Sequence, residues 1–168
     1  YLQGDWLLPI GGNWWGVLGA YGMWGDADMT RGYSNAGIID HSKGKTDVNS
    51  WGVRARLEWD RGVSFANTFV SPYVDASYGR ARMDGYTETG GGFPVRFDAR
   101  TDKSTELRLG FNAEHPFGNG VSLVGLLEAA HRFEKRSADM KGEFIGLFRF
   151  DQTGVELDRN WLRAGLGL

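Results

Sequence analysis

The sequence predicts an all-β fold, an antiparallel transmembrane β-barrel with about eight strands in view. Three observations predict it: an unbroken period-two stretch bordered by tryptophans, a composition rich in glycine and aromatics, and connections that alternate between short and long. From Trp51 to Trp59 the odd positions Trp51, Val53, Ala55, Leu57 and Trp59 make one face, and Gly52, Arg54, Arg56 and Glu58 make the other. A charged face opposite an apolar face with Trp at both ends suits a strand in lipid. Eight residue steps, tilted as barrel strands are, cover on the order of 20 Å, close to the height of the apolar band between two aromatic girdles. The chain of 168 residues holds 26 Gly, 4 Pro, no Cys and 7 Trp, with aromatics at 14%, which fits turns and strands better than helices.

The same alternation recurs. Between Thr105 and Phe117, Leu107, Leu109, Phe111, Ala113 and Phe117 face one way, and Glu106, Arg108, Asn112 and Glu114 the other. Between Val121 and Phe133, the apolar set is Val121, Leu123, Leu127, Ala129 and Phe133. Glu128, Arg132 and Glu134 oppose it, with Val124 and Leu126 blurring the polar side. Weaker strands are expected over about 13–24, 65–82, 143–150 and 160–168, with a short one before Pro9. Pro9–Gly12, Asp60–Val63 and Phe117–Gly120 read as short turns, whereas Asp26–Ser50 and Asp84–Ser104 read as long polar loops. Barrels of this kind keep short turns inside the cell envelope and long loops outside. With eight strands the first would start outside and the last would end there. That parity leads to the expectation of a single barrel domain over 1–168, truncated at both ends.

Composition narrows the function. A formal net charge of −2 gives no basis for binding nucleic acid, and no apolar run is long enough for a membrane-spanning helix. Without Cys, and with His41, His115 and His131 out of metal-ligand spacing, neither a metal nor a cofactor is expected. The charged face of Arg54, Arg56, Glu58, Glu106, Arg108, Glu114, Glu128, Arg132 and Glu134 is expected to line the lumen. There it serves as a polar wall that holds a translocating chain or plug helix, as a pairing network that keeps enclosed charges satisfied, or as both. Its mixed sign argues against strong ion selectivity. Trp51, Trp59, Phe117 and Phe133 are expected in the girdles, and Gly90–Gly92 as a flexible loop.

Several colinear pieces resemble the autotransporter translocator domain, the barrel of type V secretion proteins. They are Pro-Tyr-Val-Asp-Ala-Ser-Tyr at Pro72–Tyr78, Asp-Gly-Tyr-Thr-Glu at Asp84–Glu88, Leu109-Gly110-Phe111, Gly120-Val121-Ser122-Leu123, His131-Arg132-Phe133 and Asn160-Trp161-Leu162-Arg163-Ala164-Gly165-Leu166-Gly167. The resemblance implies a twelve-stranded, up-and-down, monomeric barrel without catalytic residues. It would sit in the bacterial outer membrane, among outer-membrane lipid, and export its own N-terminal passenger after insertion by the barrel assembly machinery. Leu168 departs from the terminal aromatic usual in such barrels. Two rival readings stand beside this one. Tyr33-Ser34-Asn35-Ala36-Gly37 resembles the active-site run of outer-membrane lipid A deacylases, but Gly32 stands where that family has His, so Ser34 lacks its neighbouring base. A soluble β-barrel binding protein would instead put the apolar faces inside and leave the charged faces wet.

Overall fold

The computed structural model describes residues 1–168 and contains strands but no helix. The strands are β1 (Leu2–Gly11), β2 (Trp14–Asn35), β3 (Ile38–Trp59), β4 (Val63–Phe65), β5 (Thr68–Met83), β6 (Tyr86–Thr87), β7 (Val95–Phe97), β8 (Arg100–Gly118), β9 (Val121–Arg132), β10 (Met140–Phe144), β11 (Phe148–Gln152) and β12 (Asn160–Gly167). A main antiparallel sheet runs β1-β2-β3-β5-β8-β9-β12, with β4 folded onto β5. A second sheet runs β11-β10-β7-β6. In the main sheet each long strand pairs with the next long strand in sequence, the meander expected of an up-and-down barrel. The edges of β1 and β12 remain unpaired, so the sheet is open.

Cross-strand register sets the faces, because directly opposed residues point to the same side. Leu57 lies beside Val74, which lies beside Leu109. Next to that row, Arg56, Asp75 and Arg108 align on the opposite face. The apolar row is the accessible one: Leu109 is 57% exposed and Val53 49%, while Asp75, Glu106 and Glu128 are buried. This is the inverse of a soluble barrel, and it overturns the binding-protein reading, which needs the apolar side chains inside.

Four sequence expectations are corrected. The Asp26–Ser50 segment is no loop: β2 and β3 continue as one hairpin of 22-residue strands to a turn at Ala36 and Gly37, with φ of +49° and +86°. Positive φ at both central residues is the type I′ turn that matches strand twist. Residues 143–150 make no barrel strand, because they straddle the tight turn between β10 and β11 in the second sheet. The main sheet therefore has seven long strands, with the short β4 as its eighth. β12 runs back toward the short-turn end, so the parity expected for Leu168 does not follow. Finally, Gly90–Gly92 is an exposed bend whose backbone runs close against the hairpin. Gly91 has φ +67°, and a Cβ there would lie 2.9 Å from the His41 carbonyl and closer still to the Tyr33 hydroxyl, so glycine is required by conformation and by space.

The long-loop end has its own small core. The 84–99 segment, expected as part of a loop, and the 133–159 segment, in which only 143–150 was expected as a strand, supply β6, β7, β10 and β11, which lie against the outer half of the β2–β3 hairpin through a Lys43–Thr89 bridge. Val95 is buried there, Phe97 stacks on Tyr86 with centroids 4.9 Å apart, and Phe150 meets Phe97 edge-on at 6.0 Å.

Candidate functional site

Four neighbouring strands contribute to one line of charges on the sheltered face. Asp75 on β5 accepts from Arg54 on β3 at 2.5 Å and from Arg108 on β8 at 3.2 Å. Arg108 also donates to Glu106, and Glu106 accepts from Arg132 on β9 at 2.8 Å. The order Arg54–Asp75–Arg108–Glu106–Arg132 alternates sign across the sheet, so each buried carboxylate has two cationic partners. Beside it, Tyr73 donates to Glu128 at 2.7 Å, while the Arg56 guanidinium lies 3.6 Å above the Tyr73 ring and pairs with Glu58 at 2.5 Å. Tyr73 can lie flat across β8 because Gly110 faces it; a Cβ at that position would sit 2.7 Å from the ring. Nearer the short turns, Glu114 accepts from Arg61 and from Ser122, at 3.0 and 3.1 Å. No buried side-chain polar atom lacks a partner.

By register, Arg54, Arg56, Glu58, Glu106, Arg108, Glu114, Glu128 and Arg132 are on this face. Glu134 is not. It lies past the end of β9, and its carboxylate accepts from both the amide and the hydroxyl of Thr105, each at 2.7 Å. Those bonds close off the strand end, so the carboxylate is unavailable to the interior. The residues missed by sequence reasoning are Asp75, which joins two arginines, and Tyr73. Both sit at alternate positions in Pro72–Tyr78, so period two is the signal that could have located them.

The four expected aromatics border the apolar face. Trp59 stacks on Trp14 at 5.6 Å with rings 7° from parallel, and Phe117 is exposed near the same end. At the other end Trp51 packs on Tyr78 at 5.5 Å, with Phe133 beside His131 at 5.0 Å. The two strand-end histidines belong to these borders. His115 hydrogen-bonds Thr68 at 2.9 Å and His131 bonds Asn160 at 2.7 Å, and each ring meets a phenylalanine edge-on.

At the long-loop end a polar cluster ties the second sheet to the hairpin. Arg31 forms a two-pronged ion pair with buried Glu88, at 3.0 and 2.7 Å, and donates to the Phe93 carbonyl at 2.6 Å. Glu88 also accepts from the Val95 amide at 2.9 Å. The Arg31 guanidinium is held charged by Glu88, and its pKa is raised further above its ordinary value. Ser42 is fully buried and gives its proton to the Gly90 carbonyl at 2.9 Å. The 3.0 Å contact between Tyr33 and Ser42 is therefore donated by Tyr33, whose oxygen in turn accepts from the Phe93 amide. Asp40 accepts from Asn35, Gly92 and the His41 amide, which hold its carboxyl below the ordinary range. Ser34 and His41 both lie on the strands of the hairpin, not in a loop. Ser34 pairs with Ile39 and His41 with Gly32, and both are exposed.

The profile described as "Autotransporter beta-domain" matches residues 1–168. The chain is 30% identical over 141 residues to an uncharacterised protein of the trpE-trpG intergenic region of Pseudomonas putida, covering 77% of this chain and 24% of that protein. It is 27% identical over 160 residues to the esterase EstA of Pseudomonas aeruginosa and to that of Pseudomonas putida, covering 92% of this chain and 25% of each. The chain thus spans about a quarter of the length of the curated relatives it matches.

Proposed function

The chain belongs to the autotransporter β-domain family, and from that premise we propose that it forms the wall of an outer-membrane translocator that anchors and exports an N-terminal passenger. The observation that carries this reading is the inverted sheet. The apolar face is bordered by aromatics at both ends, and the sheltered face carries an alternating line of charges from β3 to β9. Only a sheet with lipid on one side and a wet interior on the other is stable in that arrangement. Because every carboxylate in the line already has arginine partners, a passing polypeptide can exchange one ion pair for another without leaving a bare charge behind. The unpaired edges of β1 and β12 cannot face hydrocarbon, and further strands of the same protein are proposed to close them into a monomeric barrel. The barrel assembly machinery is its proposed partner for insertion.

The segment itself is proposed to be non-catalytic. Two relatives are named esterases, and the part of them matched here is the quarter that corresponds to this domain. Ser34 has an exposed side chain, and Gly32 replaces the base of the deacylase run. If the full-length protein hydrolyses an ester, Ser34→Ala and His41→Ala should leave the rate unchanged; loss of the rate would move the chemistry into this domain. Export is tested in cells by protease shaving of the full-length protein. The passenger should be cleaved from outside when residues 1–168 are present and protected when they are deleted. Equal cleavage in both strains would refute the translocator role.

A further inference from the structure

Most cations at the long-loop end have a carboxylate partner: Arg82 with Asp84 at 2.7 Å, Lys45 with Asp26 at 3.0 Å, Lys141 with Asp151 at 2.8 Å and Arg149 with Asp98 at 3.6 Å. Arg80 and Lys103 are exceptions, and their placement is unusual. The register sets Trp51, Arg80 and Lys103 side by side on β3, β5 and β8. They therefore share the outward, apolar face, in the row next to the one that Tyr78 and Val53 occupy. Trp51 and Tyr78 pack together there as the outer aromatic border. Two like charges directly opposite each other destabilise a sheet unless an anion lies between them. Here nothing in the protein supplies one. The carboxylates further out on that face are in the row of Asp47, with Asp26 and Asp84 beside it, four residues up β3 from Trp51 and about 13 Å along the strand, and Asp84 is already held by Arg82.

We propose that Arg80 and Lys103 clamp the phosphate of a phosphorylated lipid headgroup in the outer leaflet. Interfacial Trp and Tyr sit at headgroup depth, so a cation pair in the row of Trp51, one row beyond Tyr78, meets lipid phosphates. The Arg fork can grip two phosphate oxygens while Lys adds a point charge. The proposal rests on the translocator reading only for which end faces outward. Its test does not, because lipid is offered to both ends.

Full-length protein is reconstituted in nanodiscs of a phosphate-free galactolipid with fluorescent lipid A, either bis-phosphorylated or phosphate-free, and lipid retention is measured. Wild type should prefer the phosphorylated form by about 25-fold, from roughly fivefold for each of the two basic side chains at a membrane surface. Arg80→Gln with Lys103→Gln should lose that preference, and Arg80→Lys with Lys103→Arg should keep most of it. Lys141→Gln with Arg149→Gln, further out in the second sheet, should keep all of it. Strand circular dichroism confirms that each variant is folded. Absence of preference in wild type, or its survival in the double Gln variant, overturns the site. Complete displacement of lipid A by inorganic phosphate overturns the headgroup assignment, since the site would then be one for free anions.

Discussion

The two halves of the β2–β3 hairpin obey opposite rules. Between Trp14 and Trp24, and across from Trp51 to Trp59, apolar side chains such as Leu18 and Val53 point out and polar ones such as Arg54 point in. Beyond Trp24 the same two strands support a small core of ordinary sense, with Val95 buried and Phe97, Phe150 and Phe144 packed together. No break in the backbone separates the two regimes; what changes is the solvent. Within the apolar band an exposed Leu lies in its preferred medium, and a charge must find partners on the sheltered face. Beyond the band water returns, and the apolar side chains collapse on one another. At 22 residues, each strand extends about 70 Å along its length, well over the roughly 25 Å apolar band, so one hairpin must serve both media.

The sharpest way to separate the regimes is to place the same residue in each. Leu109→Arg on the apolar face should destabilise the protein by about 2–4 kcal/mol, the cost of a cation near the bilayer midplane. Leu147→Arg, at the equally exposed β10–β11 turn, should change stability by less than about 0.5 kcal/mol. Urea unfolding in phospholipid vesicles measures both, and equal effects would break the distinction. Next in size is Asp75→Asn. Removing one partner of a fully buried pair costs about 3–5 kcal/mol, but Arg54 is 43% and Arg108 25% exposed, so water compensates and about 2 kcal/mol is expected. The loss should lower the unfolding midpoint of the whole sheet.

Glu88→Gln should cost less, about 1–2 kcal/mol, and act locally. The amides of Lys43, Thr89 and Val95 should exchange hydrogen faster while those of β8 and β9 do not change. Faster exchange in β9 of this variant would mean that the second sheet and the barrel fold as one unit. The smallest effect is expected from acid. The Asp40 carboxyl is held low by Asn35, Gly92 and His41, so its contribution is complete above the ordinary Asp pKa and fades as pH falls through the lower, folded value. Below about pH 4 the 84–99 segment should become more susceptible to limited proteolysis at Gly90–Gly92, with the strands of the membrane band unaffected.

Strands in the band were legible because each apolar or charged residue reports its face, and period two survives from Trp51 to Trp59 without exception. The same pattern would have put Asp75 and Tyr73 on the charged face. The outer half of the hairpin was not legible, since residues 26–50 are polar on both faces of a sheet wetted on one side and covered on the other only by distant segments. Residues 143–150 misled for the converse reason. Phe144, Phe148 and Phe150 are apolar enough to pass for a membrane strand, but they serve a core outside it. Gly90–Gly92 read as flexible because only the fold shows that the Tyr33 hydroxyl and His41 carbonyl press against that bend. Glu134 kept the right parity and lost its place by lying one turn past the last ladder bond of β9.

The central claim is that lipid contacts the apolar face and water fills the charged one. Spin labels placed singly at Val53, Leu57, Leu109 and Phe111 should relax with oxygen in bilayers and ignore a water-soluble nickel reagent, while labels at Arg54 and Arg108 should do the reverse. Nickel access at Leu109 together with oxygen access at Arg108 would contradict the account.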